Sequence, residues 1–149
     1  MQGVSRFGRL LRAINCSMHT LMMALAMATP ANGAGRIAVG DSLAVGFGQA
    51  SHMTTMAKVG VSSCWIAARM PAGHYDFMLI SAGTNDVPGR CIEQVRARAN
   101  ADVVEWVVPV NGARSHVLQV AAAHGDRTLF YLAGKGRAWP HPNCYFAVR

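Results

Sequence analysis

Short apolar runs alternate with longer stretches of mixed polarity along most of the chain, a spacing that reads as strands separated by helices. Arg36 to Val39 (RIAV) is a β-type run closed by Gly40, and Thr54 to Val59 is a weaker one. Asp76 to Ile80 (DFMLI) is a third. Asp102 to Val110 (DVVEWVVPV), rich in β-branched residues, carries the strongest strand signal, and Arg127 to Leu132 (RTLFYL) is the fifth. Helical spacing appears around Trp65 to Met70, over Ile92 to Ala99 with Arg96 and Arg98 on the solvated side, and over Ala113 to His124. In that last segment Val117, Val120 and Ala121 mark the apolar face, and Gly125 supplies the stop. Five strands separated by helix-length segments predict βαβ units, hence an α/β fold: a three-layer α/β/α sandwich around a five-stranded, mostly parallel sheet.

Sheets of this kind bind ligands beyond the carboxyl ends of their strands, so the residues after each run are where chemistry belongs. Gly40-Asp41-Ser42-Leu43 follows the first run and Gly60-Val61-Ser62-Ser63 the second. Ser81-Ala82-Gly83-Thr84-Asn85-Asp86 follows the third, and Pro140-His141-Pro142-Asn143 comes after the fifth. A serine, an amide side chain and a histidine converging on one rim are the parts of an acyl-transfer site. The serine attacks a carbonyl, the histidine takes its proton, and amide donors hold the oxyanion. Each residue also has a purely structural reading: Ser42 as a helix cap, Asn85 as a turn residue, His141 as a surface histidine between two prolines.

Composition narrows the function classes. With 149 residues there is room for one domain, and 52% hydrophobic against 14% charged residues describes a chain with a core. The net charge of +7 is uneven: Arg6, Arg9 and Arg12 lie in the first 34 residues, leaving 11 basic against 7 acidic side chains. Without a Lys/Arg stripe, that mild excess argues against a nucleic-acid partner. Residues 1–34 have the order of an export signal: three arginines, the apolar LMMALAMA of Leu21 to Ala28, then small residues and a proline. This divides the chain into a signal peptide at 1–34 and a domain at 35–149, and points to a secreted or periplasmic protein. The apolar run is too short to span a bilayer, so no stable membrane insertion is expected once the signal is removed. Cleavage would take Cys16 and leave Cys64, Cys91 and Cys144, enough for one disulfide whose pairing the sequence leaves open. No Cys-x-x-Cys pair occurs, and His116 and His124 stand too far apart on one helix for a two-ligand pair, so neither a metal nor another cofactor is implied.

The three blocks GDSL, GTND and His-Pro-Asn, in that order and each at a strand end, resemble the signature of the SGNH (GDSL-type) hydrolases. The resemblance spans Arg36 to the carboxyl terminus. It implies a flavodoxin-like SGNH hydrolase fold and a serine esterase acting on small carboxylic esters, with acetyl esters of carbohydrate as one example. Carried over by position, Ser42 matches the nucleophile and His141 the general base. The oxyanion hole would be the Ser42 N–H, the Asn85 side chain and the N–H of Ser63, or of Gly60 in another register. Asp41, Gly83 and Asp86 are supporting residues. The sequence departs from the family twice. Ser63 stands where the second block has glycine, and Ala138 stands where an aspartate usually orients the histidine. The second departure implies a Ser42–His141 dyad without a carboxylate. Both departures leave open a catalytically weakened module that binds a glycan or acyl group, and a periplasmic thioesterase or lysophospholipase is a further alternative.

Overall fold

The computed structural model describes residues 35–133, 140–142 and 145. The segment 1–34 expected to be a signal (with Cys16), Ala138, Asn143 and Cys144 lie outside the described residues. Five strands form one sheet: β1 (Arg36–Gly40), β2 (Thr54–Ala57), β3 (Tyr75–Ser81), β4 (Ala101–Val107) and β5 (Arg127–Leu129). All neighbours pair in parallel, in the order β2-β1-β3-β4-β5. The sheet carries helices on both faces and has the three-layer, flavodoxin-like α/β/α architecture that the alternation of runs predicts.

The second and fifth strands are shorter than their apolar runs, and β4 stops at Val107, with Val108 still donating to the carbonyl of Leu129. Pro109 has no N–H to continue a ladder, which ends the strand inside the predicted run. The helices α2 (Ser63–Ala68), α3 (Ile92–Arg98) and α4 (Arg114–His124) fall where helical spacing places them. Gly125 closes α4 in the left-handed conformation, at φ 68°. The stretch after β1, where Gly46 and Gly48 blur any periodicity, forms α1 (Ser42–Ala50). There tertiary packing overrides weak helix propensity: Leu43, Ala44 and Phe47 are fully buried.

The two sheet faces are unequal. Ile37, Val39, Met78, Ile80, Val104 and Trp106 point to one face, where they meet Ile66, Ile92, Val95, Val117 and Val120 of α2, α3 and α4. Ala38, Leu79, Val107 and Leu129 point to the other, where Leu43 and Phe47 of α1 join Tyr131 and Tyr145. Trp106 and Phe47 are the largest fully buried side chains, one in each layer. Burying such an aromatic contributes about 1.5–3 kcal/mol.

One surface expectation is corrected. Arg96 is not simply solvated: its Nε lies 2.6 Å from Asp126 Oδ2, which also accepts from the indole N–H of Trp106 at 2.9 Å. The buried indole needs a partner, and Asp126, just ahead of β5, provides it together with a countercharge for Arg96. Asp126 is thereby engaged at the amino-terminal side of the sheet, away from the rim that Ser42 and Asn85 occupy.

Cys64 and Cys91 form a disulfide across 27 residues of sequence, joining α2 to the start of α3. Closing a loop of that length restricts the unfolded chain by about 3.5 kcal/mol in the chain-entropy account. No helix among the described residues is long and apolar enough to cross a membrane.

Candidate active site

Sheet order reverses between β1 and β3, the switch point at which such folds open a crevice. Gly40 and Ser81, the last residues of those two strands, are paired neighbours. Gly40 has φ +141°, and a Cβ there would sit 1.9 Å from the Ser81 carbonyl oxygen. Only glycine lets the strands end so close together.

The turn that follows is tightly bonded. The Asp41 N–H donates to the Ser81 carbonyl at 3.1 Å, and the Lys58 N–H to the Gly40 carbonyl at 2.9 Å. Asp41 caps α1, its Oδ1 accepting the Leu43 N–H at 3.0 Å and the Ser81 hydroxyl at 2.7 Å. The cap is therefore Asp41, which leaves Ser42 as the first helical residue with its hydroxyl uncommitted to capping. Asp41 is fully buried, and burial pushes its carboxyl above the usual carboxylate range. Hydrogen bonds from Ser81, Thr84 and Leu43 pull the other way without overcoming it. Its Oδ2 has no hydrogen-bond partner among the described residues.

His141 reaches this turn from the far end of the chain. Its Nε2 lies 3.3 Å from Ser42 Oγ, across 99 residues of sequence. The bond is long, but catalytic hydrogen bonds commonly tighten only in the substrate complex. Pro142 forms an antiparallel bridge with Ala133, which ties the histidine to the chain leaving β5. Nδ1 lies 2.7 Å from the phenol oxygen of Tyr145. An unprotonated Nε2 in this position can take the serine proton.

The other expected residues divide. Asn85 is exposed after β3, and its Nδ2 donates to the Val61 carbonyl at 3.0 Å. That uses one amide hydrogen and leaves the second for another acceptor. Gly83 occupies the turn ahead of it, at φ +94°. Ser63 departs from its expected role as an oxyanion donor. It is fully buried, its N–H donates to Asp86 Oδ1 at 2.8 Å, and its hydroxyl donates to Asp86 Oδ2. The same hydroxyl oxygen accepts the Cys91 N–H at 3.1 Å. A side chain in place of hydrogen at this position thus locks the β2–α2 connection to the loop after β3, and Asp86 is the clamp. Gly60, the other register, has open space around its α-carbon and φ +78°.

Two contributors carry no strong signal in the sequence. Asn111, just past β4, donates through Nδ2 to the carbonyls of Gly83 and Thr84 at 3.0 and 2.9 Å and accepts the Ala113 N–H. It braces the Asn85 loop from behind, and its place after a strand end was the only available clue. Tyr145 is the other, close to the carboxyl terminus with no periodic context. Two clefts of the domain lie elsewhere: one lined by Arg96, Asp102 and Asp126, the other by Phe47, Phe77 and Leu129. Neither includes Ser42 or His141. No group of three or more His, Cys, Asp or Glu suited to a metal ion occurs among the described residues.

Comparison of the chain with family models, with curated proteins and with solved structures finds no match.

Proposed function

We propose that this protein is a serine ester hydrolase of the SGNH (GDSL-type) class, exported from the cell and acting on small carboxylic esters. The observation that carries the reading is the approach of Ser42 Oγ to His141 Nε2 at the switch point of a parallel sheet. In the reaction, Nε2 takes the hydroxyl proton as Oγ bonds to the ester carbonyl carbon, and the carbonyl electrons move onto oxygen. The Ser42 N–H, which has no intrahelical acceptor at the first turn of α1, and the second amide hydrogen of Asn85 are the oxyanion donors. The helix N-terminus adds a partial positive charge at the same place. Collapse of the intermediate breaks the bond to the alcohol, which leaves with the proton from Nε2. Water, deprotonated by the same nitrogen, then bonds to the acyl carbon; the bond to Oγ breaks as Nε2 returns the proton to Ser42, and the acid is released.

Engagement of the Ser63 N–H by Asp86 favours one competing reading, a module that binds an ester or glycan with a depleted oxyanion hole. Treatment of the full chain with a fluorophosphonate and assay on p-nitrophenyl esters of increasing chain length separate the two. Labelling confined to Ser42, with acetate and butyrate turned over fastest, supports the hydrolase. Folded protein that neither labels nor hydrolyses any ester rejects it. Rates that climb steadily with chain length would assign a thioesterase or lysophospholipase instead.

A further inference from the structure

Only one of the two imidazole nitrogens of His141 faces Ser42. For that nitrogen to accept a proton, the ring hydrogen must sit on Nδ1, and the partner of Nδ1 decides whether it does. The family pattern places a carboxylate there, whereas here the neighbour is the Tyr145 phenol oxygen at 2.7 Å. The ring of Tyr145 is itself seated. It stands edge-on to Phe47, with centroids 5.2 Å apart and planes at 84°, and Phe47 is fixed in the core of α1. It also lies over Gly46, where a Cβ would come 2.1 Å from the phenol ring. Glycine inside a helix is less stable than alanine. At Gly46 the missing methyl is the space the tyrosine occupies.

We propose that Tyr145 is the positioning residue of His141, its phenol oxygen accepting the Nδ1 hydrogen, with Gly46 as the notch that seats its ring. The catalytic consequence rests on the hydrolase reading, but the hydrogen bond does not. Burial and the nearby charge of Asp41 both push the phenol above its ordinary pKa, so it remains neutral across the physiological range. No proton passes to the tyrosine. When Nε2 takes the serine proton, the phenol oxygen continues to accept from Nδ1–H of the imidazolium. A neutral acceptor fixes tautomer and orientation but stabilises the imidazolium less than a carboxylate does.

The test uses the full chain labelled with ¹⁵N-histidine, the His141 signals being identified by their loss in His141→Gln. At a pH where the imidazole is neutral, wild type is expected to carry the hydrogen on Nδ1. Tyr145→Phe keeps the ring and removes the oxygen; its His141 is expected to shift toward the Nε2–H form. On p-nitrophenyl acetate its kcat should fall about 10- to 100-fold, with KM within about twofold. Gly46→Ala retains the hydroxyl but evicts the ring, and should produce the same tautomer shift and loss. The double variant should lose little more than the worse single one, as expected of two changes to one contact. An Nε2–H wild type, an unaltered tautomer in Tyr145→Phe, or an unaltered kcat in an active enzyme overturns the assignment. If wild type is inert to esters and to fluorophosphonate, the hydrolase reading fails, and the tautomer measurement alone decides the role of Tyr145.

Discussion

Ser42 and His141 stand 3.3 Å apart but are held in opposite ways. Ser42 belongs to the framework: backbone bonds from Asp41 and Lys58 secure its turn, Asp41 caps its helix, and the Gly40–Ser81 approach fixes the strand end beneath it. His141 comes after the last strand. Among the described residues, the contacts that place it are a bridge at Pro142 and side-chain bonds to Ser42 and Tyr145. Altering the Ser42 turn should therefore damage the fold, whereas altering the histidine should damage only the proposed chemistry.

That contrast can be broken from either side. His141→Ala is expected to lower kcat/KM by about 10³-fold or more, equivalent to about 4 kcal/mol of transition-state stabilisation. Its urea midpoint should stay close to that of wild type; a large loss of stability would show that the histidine segment is part of the framework after all. Gly40→Ala should do the reverse, destabilising the fold by about 3 kcal/mol or more because its methyl meets backbone rather than a movable side chain. A folded, normally stable Gly40→Ala protein would mean that the turn has slack.

Reduction of Cys64–Cys91, or its replacement by two serines, is expected to cost about 2–4 kcal/mol in urea unfolding. It acts through α2 and α3, so it should leave the Ser42–His141 pair and the rate at low denaturant little changed. Asp86→Ala leaves the buried Ser63 N–H and hydroxyl without their acceptor, at about 1–3 kcal/mol. Because the Asn85 loop loses its clamp, kcat should drop in parallel with stability, unlike in the disulfide variant.

The smallest effect is expected at Asp41. Its carboxyl binds a proton more tightly in the folded than in the unfolded chain, since burial raises its pKa above 3.8. The folded state therefore gains most from this residue below that value and loses the contribution as pH rises through the raised folded-state pKa. Asp41→Asn should remove that part of the slope in stability against pH, read as urea midpoints across the acid range. An unchanged slope would show that Asp41 ionises freely within its network.

Much of this architecture was legible in the chain because it rests on local rules. Short apolar runs marked the strands, Gly125 ended α4, and the rule that chemistry follows strand ends singled out Ser42, Asn85 and His141 as candidates. Where the structure departs from these local rules, the cause is shared. Arg96 belongs to a part-buried ion pair and the Ser63 N–H is already spent on Asp86, because each met a partner more than 20 residues away. Asn111 and Tyr145 carry no signal of their own, since an isolated polar residue acquires meaning only from what it touches.

By itself the amino-acid order determined which segments become strands and helices, and which residue types stand at the rim of the sheet, because periodicity and turn chemistry act over a few neighbouring positions. Tertiary structure alone decided which cysteines join, which N–H groups stay free, and that a tyrosine seated over a helix glycine faces the imidazole. Those are matters of distance and orientation between remote parts of the chain, and packing sets them.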